Sequence, residues 1–213
     1  MTATKTLSIR RNFITEISSA SAAIDPTDTD INAAIGVLER SIDNAAVGLR
    51  EELFRFVSRL TVMVNIDLLV KDELNRVLLS WRDTEFSGAG WHVPGGIIRY
   101  KESLEDRIRK VAQSEIGTVV DFDSNPVAIN QIIKNDTTRG HFISILYSCS
   151  LPSDFTPDNS SLSATEPGFL KWQDKCPDNL IKVHDVFYTG SILKQLRSAI
   201  LVAASLTDSF TTE

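Results

Sequence analysis

The sequence predicts a protein of the α/β (α+β) class, in which a helical N-terminal extension precedes a domain built around a β-sheet. About fifty N-terminal residues show helical periodicity. From Thr61 onward, several short runs are rich in β-branched and large apolar residues, which are typical of strands, and one amphipathic helix interrupts them. We therefore predict two parts, a helical extension over residues 1–50 and a domain over residues 51–213.

The extension is predicted to contain two helices, of which the first covers residues 5–24. Its apolar stripe is formed by Leu7, Phe13, Ile14 and Ile17. The segment "DPTDTD" then supplies capping residues for a second helix over residues 31–59, with a break near Gly48. The apolar stripes need covering, and either a homodimer or packing on the protein's own domain would cover them.

The domain is predicted to begin with the strands "TVMVNIDLLV" and "RVLLSWR", joined by the turn "DELN", and then the short strand "WHVPGG". A helix over residues 104–116 follows. The remaining strands are "NPVAINQIIK", "GHFISILYSCSL" and, after a polar loop over residues 152–168, "FLKWQ". A C-terminal helix is predicted over residues 190–206. Trp81, Trp91 and Phe142 are predicted to belong to the core, with stacking on a nucleotide base as the alternative.

The composition limits the partners that this chain can bind. It has 213 residues, a net charge of −6 and a sequence pI of about 5.1, so electrostatic binding to nucleic acid or to an anionic membrane is not favoured. An anionic substrate would need a local cation or arginines. The two cysteines form no CxxC motif, and no apolar stretch is long enough to span a bilayer. We expect a cytoplasmic protein.

Glu115 is an unusual residue in the helix over residues 104–116. It continues the apolar stripe of Leu104, Ile108 and Val111, so it is predicted on the inward face, in the last turn before Gly117. A carboxylate is disfavoured there by the helix dipole and by burial. Pairing with a basic side chain is one explanation, and exposure to solvent past a frayed helix end is another. The third is a cation bound between Glu115 and backbone oxygens of the preceding "PGG", and Mg²⁺ or Mn²⁺ suits such oxygen ligands.

The segment "GGIIRYKESLEDRIRKVAQSEIG" resembles a reduced Nudix box. Gly96, Glu102, Glu115 and Gly117 fall at the spacing of the box. Lys110, Val111 and Ser114 stand where the box has an arginine and two further glutamates. A box that keeps only its last glutamate resembles that of the GDP-mannose mannosyl hydrolase branch. The stretches "EELFRFVSRLTVMVNIDLLV", "LLSWR", "GWHVPGG" and "KVHDVFYTG" are similar to that branch in order and spacing.

The resemblance implies a mixed sheet sandwiched between helices, and it implies roles for particular residues. One Mg²⁺ would be held by the carbonyl of Gly95 or Gly96, by Glu115 and by Glu166. Glu102 and Lys110 would form a structural pair. Substrate binding is assigned to Asp67 at the sugar, to Arg82 at the leaving diphosphate, and to Arg99 and His141.

Two departures from the branch leave the general base unassigned. Pro167 stands where the branch has its histidine base, and the histidine of the "KNDTT" connection is absent. Arg99 lies two residues beyond the position where an arginine follows the double glycine. His141, His92 and Glu166 are candidates for the base, although a structural role is the favoured interpretation of each histidine.

Two functions of different classes follow from these features. The first is a Mg²⁺-dependent Nudix hydrolase that cleaves a nucleoside diphosphate linked to another moiety, with a nucleotide sugar as the expected substrate. Attack at phosphorus and attack at the sugar carbon both remain open. The second is a Nudix-fold module that binds or senses such a ligand with little turnover, which the reduced metal site and the helical extension favour.

Overall fold

The computed structural model describes residues 26–85, 87–135 and 140–187. The helices predicted over residues 5–24 and 190–206 lie outside these ranges. The chain divides into two compact units between Asp43 and Asn44. Within the described residues, no helix combines the length and the apolar character needed to cross a membrane.

The first unit contributes helix α1, Asp28–Arg40. Thr27 caps this helix in a reciprocal arrangement. Its hydroxyl accepts a hydrogen bond from Asp30 N–H, while the Asp30 carboxylate accepts one from Thr27 N–H. The "DPTDTD" segment therefore supplies the predicted cap.

The second unit begins with helix α2, Glu51–Leu60. The long helix predicted over residues 31–59 is thus two helices, and the predicted break near Gly48 is wider than expected. Residues 41–50 contain turns and irregular backbone between the two helices. Gly48 in this segment has a φ of 133°, a backbone conformation that does not occur in a regular helix.

Among the described residues, eight strands form a mixed sheet at the centre of the second unit. The strands are β1 Met63–Lys71, β2 Val77–Thr84, β3 Gly88–His92, β4 Gly95–Ile97, β5 Asp121–Phe122, β6 Ala128–Ile133, β7 His141–Ser150 and β8 Leu170–Gln173. Their order in the sheet is β3–β2–β1–β7–β5; β4 pairs with β1, β6 with β7 and β8 with β2. The long strands β1 and β7 run parallel and the other pairings are antiparallel. A mixed sheet flanked by helices confirms the predicted α/β (α+β) class.

Strand β1 divides its side chains between two environments. Ile66, Leu68 and Val70 are fully buried and pack in the cluster that contains Ile108 and Val111 of the following helix. Because side chains alternate along a strand, Asp67 points to the opposite face. A carboxyl group is thereby placed inside the sheet domain but away from its main apolar core.

Helix α3 begins at Leu104 and carries the candidate metal ligand. Ser103 caps it by accepting a hydrogen bond from Asp106 N–H, as predicted. The helix is α-helical over Leu104–Val111 and continues as a π-helical turn over Ala112–Ile116, which we did not predict. Gly117 ends it with a φ of 82° and donates to the carbonyl of Ala112. Leu104 is exposed, so the predicted apolar stripe is buried only from Ile108 onward.

Glu102 ties the start of α3 to the preceding loop. Its side chain is only 3% exposed, and it accepts hydrogen bonds from Lys110 Nζ at 2.8 Å and from Arg107 Nε at 2.8 Å. The Arg99 N–H also donates to it. Burial alone would raise the pKa of Glu102, but the hydrogen bonds outweigh burial and lower the pKa to about 2. The predicted Glu102–Lys110 pair is confirmed, and Arg107 is an unforeseen third member.

We expect Glu102→Gln to lower the free energy of unfolding by about 2 kcal/mol at pH 7. This is less than the full pKa shift implies, because Lys110 is largely exposed to solvent. The folded pKa lies below the unfolded value, so the loss should disappear as the pH falls from about 4.5 to about 2. Urea unfolding across this pH range would measure it, with the exposed Glu105→Gln as the control. An effect of equal size at pH 7 and at pH 3 would show that packing, not charge, is responsible.

Candidate active site

A cavity of about 390 Å³ opens in the second unit. Its size is within the range of small-molecule sites. One part of the wall is polar and the other is apolar. The polar part consists of Glu51, Asn65, Asp67, Arg82, Arg99 and His184, with the backbone of Gly95 and Gly96 beside them, and the apolar part includes Leu49, Phe54, Ile132 and Phe142.

Asp67 is the buried carboxyl group of this cavity, with 4% of its surface exposed. The Ser144 hydroxyl donates to Asp67 Oδ2 at 2.5 Å, and Asn65 Nδ2 donates to Oδ1 at 3.0 Å. Burial raises the pKa of Asp67 to about 7, although these hydrogen bonds and the nearby Arg82 act in the opposite direction. The carboxyl group is therefore fixed in position and close to the midpoint of its titration at neutral pH.

The Gly95–Gly96 pair allows two groups to approach the backbone of β4. A Cβ at residue 95 would overlap Asp67 Oδ1, and a Cβ at residue 96 would lie 2.9 Å from Val111 Cγ2. Only glycine fits both contacts without displacement. As a result, helix α3 packs directly against β4, and the next helical turn after Val111 brings Glu115 beside Gly95.

Glu115 meets an N–H group rather than the carbonyl groups that we expected. Gly95 N–H donates to Glu115 Oε2 at 3.2 Å, whereas the Pro94 carbonyl accepts from Leu68 N–H on β1. Arg82 Nη2 lies 3.8 Å from Glu115 Oε1. About a quarter of the side chain (27%) remains exposed, yet burial raises the pKa of its carboxyl group, with Arg82 and Gly95 acting against this rise.

Arg82 and Arg99 both line the cavity and supply the local positive charge that the acidic chain needs for an anionic ligand. Arg82 extends from β2 toward Glu115 and lowers the pKa of Asp67 by its charge. Arg99 follows β4, and its guanidinium group lies against the backbone of Gly48. The structure thus brings together in one cavity three of the residues that the sequence analysis named for substrate binding, Asp67, Arg82 and Arg99.

His184 also lines the cavity, and the sequence reasoning did not single it out. It is 6% exposed, and its Nδ1 lies 3.8 Å from Asp67 Oδ2. Burial lowers the pKa of His184 to about 3, and the charge of Arg82 adds to this effect. Since burial favours the neutral form of both groups, we describe the contact as a neutral imidazole beside a carboxyl group and not as an ion pair. The only sequence signal was its place within "KVHDVFYTG".

Glu115 itself is absent from the cavity lining that the described residues form, although its neighbours Arg82 and Gly95 belong to it. Three further candidates are absent as well. Glu166 is exposed, and its carboxylate accepts a hydrogen bond from Ser163 N–H in the loop. His141 interacts with the side chain of Gln131 at 2.9 Å. His92 is buried, its Nδ1 lies 2.7 Å from the carbonyl oxygen of its neighbour Val93, and burial lowers its pKa to about 3.

The carboxylate of Glu115 fits a hard cation in chemical type, since Mg²⁺ and Mn²⁺ prefer oxygen ligands. The backbone group that contacts it is the Gly95 N–H, which is not a cation ligand. Within the part of the chain that the structure describes, no three His, Cys, Asp or Glu side chains cluster as a metal site. A cation here would depend on one main carboxylate, on backbone oxygens and on oxygens of its ligand.

Comparison with known proteins gave relatives of low identity. No protein-family model matches the chain. A stretch of 114 residues is 27% identical to the low-salt glycan biosynthesis protein Agl8 of Haloferax volcanii, which covers 50% of this chain and 72% of that protein.

Similar solved structures include two hydrolases, of which the second is a Nudix hydrolase. One is a diadenosine tetraphosphate hydrolase candidate from Jonesia denitrificans, with 19% identity, 60% of this chain and 90% of that chain covered, and a TM-score of 0.46. Another is a MutT Nudix hydrolase from Burkholderia pseudomallei, with 17% identity, 60% and 95% covered, and a TM-score of 0.45. Because both TM-scores are below 0.5, the description of the fold rests on the strands and helices given above and not on these two structures.

Proposed function

We propose that this chain is a Mg²⁺- or Mn²⁺-dependent hydrolase of the Nudix type, which cleaves a nucleoside diphosphate linked to another group. We propose nucleotide sugars as its substrate class and residues 51–213 as the hydrolase domain. The observation that carries this proposal is that Arg82, Arg99 and Asp67 line one cavity together with Gly95 and Gly96.

The two halves of the cavity wall suit the two halves of such a substrate. Arg82 and Arg99 present guanidinium groups, which bind phosphate oxygens in a bidentate manner. The apolar wall around Phe54 and Phe142 would accept the flat face of a base or sugar. Asp67 would accept hydrogen bonds from sugar hydroxyl groups in its ionised form.

We assign cation binding to Glu115 together with the carbonyl groups of Gly95 and Gly96. When bound, the cation would neutralise the diphosphate and stabilise the leaving group. Glu166 would join this set after its carboxylate leaves Ser163 N–H, which holds it in the described conformation. Arg82 lines the cavity and its Nη2 lies 3.8 Å from Glu115 Oε1, so it would contact the same diphosphate that the cation neutralises.

The choice of nucleotide sugars has two supports. The reduced box around Glu115 resembles that of the GDP-mannose mannosyl hydrolase branch. In addition, the name of the relative from Haloferax volcanii links that protein to glycan biosynthesis, a process that consumes activated sugars.

A substrate panel tests this proposal. The purified full chain would be incubated with Mg²⁺ or Mn²⁺ and with nucleotide sugars, nucleoside diphosphates and dinucleoside polyphosphates, and the products would be resolved by chromatography. We expect metal-dependent turnover that is fastest with a nucleotide sugar. Reaction in ¹⁸O-water would place the label on phosphate or on the sugar and would identify the bond that is cleaved.

The second candidate is a Nudix-fold binding module, and the sparse metal site favours it. Around Glu115 the described residues offer no second acidic ligand on the same helix, because Val111 and Ser114 occupy the positions of the usual glutamates. Absence of turnover with either metal, combined with a higher melting temperature in the presence of a nucleotide sugar, would favour this function over hydrolysis.

A further inference from the structure

The segment that carries His184 is docked onto the sheet by backbone hydrogen bonds. Trp91 N–H donates to the Asn179 carbonyl, and Ile181 N–H donates to the Trp91 carbonyl at 2.9 Å. A 3₁₀ helix, Lys182–Phe187, begins directly afterwards, and His184 N–H donates to the Ile181 carbonyl. This path fixes the backbone of His184 at the cavity wall beside β3.

The imidazole of His184 faces a carboxyl group that is itself held in place. Nδ1 lies 3.8 Å from Asp67 Oδ2, and Ser144 and Asn65 hydrogen-bond to the two oxygens of that carboxyl group. In its ionised form a carboxyl group only accepts hydrogen bonds, so Asp67 beside Nδ1 then favours the tautomer with its proton on Nδ1, and Nε2 is the nitrogen able to accept a proton. A buried carboxyl group that orients an imidazole in this way is a common feature of hydrolytic sites.

The charged and titratable groups around His184 come from three strands. They are Asp67 of β1, Arg82 of β2 and His92 of β3, whose ring centroid is 6.1 Å from that of His184. Burial and Arg82 keep His184 neutral at pH 7, and the neutral form is the one that accepts a proton. A diphosphate bound at Arg82 would offset the charge of that arginine, which would raise the pKa of His184 and make it a stronger base.

We propose that His184 is a catalytic residue of the hydrolysis proposed above, and that Asp67 is the residue that positions it. The imidazole takes a proton from water as the water oxygen bonds to phosphorus. The bridging P–O bond breaks, its electron pair leaves with the departing phosphate, and the imidazolium returns its proton to solvent. His184 thereby fills the role of base that the sequence left open, since Pro167 occupies the place of the histidine found in the similar branch.

The test compares two buried histidines, and it rests on the proposed function. His184→Gln, His184→Ala and His92→Gln would be assayed with the best nucleotide sugar of the panel, below the melting temperature of every variant. We expect both His184 variants to lower kcat by about 100-fold or more with little change in KM, and added imidazole to restore part of the activity of His184→Ala. His92→Gln, which removes a histidine outside the cavity lining, should lower kcat by less than about fivefold.

Asp67→Asn provides a separate test of positioning. We expect it to lower kcat, and we expect the double variant with His184→Gln to be no slower than His184→Gln alone, because residues that act as a unit are not additive. If the losses of kcat in the two single variants multiply in the double variant, Asp67 does not act through His184 and its positioning role is overturned.

Two results would overturn the role of His184 while leaving hydrolysis itself established. One is a kcat of His184→Gln within about threefold of the parent, and the other is an equal loss in His92→Gln, which would indicate a packing effect. Lack of turnover in the parent protein would instead overturn the proposed function, so the two failures are distinguishable.

Discussion

Glu115→Gln is expected to lower metal-dependent hydrolysis by about 1,000-fold or more, because it removes the main carboxylate proposed for the cation. The same change should raise the stability of the metal-free protein by about 1 kcal/mol at neutral pH. Burial raises the pKa of Glu115, and its nearest cation, Arg82, is 3.8 Å away, so its charge is poorly compensated. Glutamine retains an oxygen for Gly95 N–H. Initial rates at several Mg²⁺ concentrations and thermal melts in EDTA would measure the two effects.

Glu105→Gln is the matched control for this variant. Glu105 lies on the same helix and is 64% exposed, with a surface pair to Arg109 at 3.4 Å. Its substitution makes the same change of charge and should leave both the rate and the melting temperature nearly unchanged. If Glu115→Gln hydrolyses substrate as fast as the parent, the metal assignment is wrong.

Arg82→Gln is expected to lower kcat/KM by about 100- to 1,000-fold, because the guanidinium group would bind the diphosphate in a site with few other cations. Arg82→Lys should recover only part of the loss, since lysine lacks the planar fork of donors. The pKa values of Asp67 and His184 should both rise in Arg82→Gln, because Arg82 lowers each of them in the parent. Steady-state kinetics and a histidine NMR titration would measure these changes.

Arg109→Gln removes the same charge from the surface of α3 and serves as the control for Arg82. Arg109 is 56% exposed and pairs with Glu105. We expect normal kinetics and an unchanged titration of His184 in this variant. A similar loss of activity in both variants would mean that the overall charge of the protein, and not a contact with substrate, determines the rate.

Local sequence signals predicted the helix that carries Glu115. Ser103 and Gly117 mark its two ends, and both have the expected capping geometry. The π-helical turn was not predictable, because the buried residues Ile108, Ala112 and Ile116 also follow the four-residue spacing of an α-helix. The Gly95 N–H, and not a carbonyl, was a further unexpected feature at Glu115.

The arrangement around Asp67 was harder to predict. A carboxyl group inside "NIDLLV" needs polar partners, and the structure supplies Ser144 and Asn65. Ser144 comes from β7, which pairs with β1 in parallel, so the contact depends on sheet pairing that the sequence alone does not specify. His184 arrives on a short 3₁₀ helix with no strong periodicity, which is why sequence reasoning passed over it.

The alternation of side chains along β7 separates two neighbours that the sequence could not distinguish. Phe142 lines the cavity, whereas His141 interacts with Gln131 of β6. The sequence analysis favoured His141 as a site residue because an imidazole is chemically reactive. The strand instead presents the apolar Phe142 to the cavity.

The π turn at the end of α3 gives this site a particular evolutionary vulnerability. A π turn accommodates one residue more than a turn of α-helix. If it became regular α-helix with no residue lost, Glu115 would rotate by about 100° and move by about 1.5 Å along the axis. Ile108 and Val111 precede the turn and would stay buried, but the buried Ile116 would leave its place. Loss of one residue ahead of Glu115 restores the register, so a related lineage that is one codon shorter here can keep a carboxylate beside Gly95.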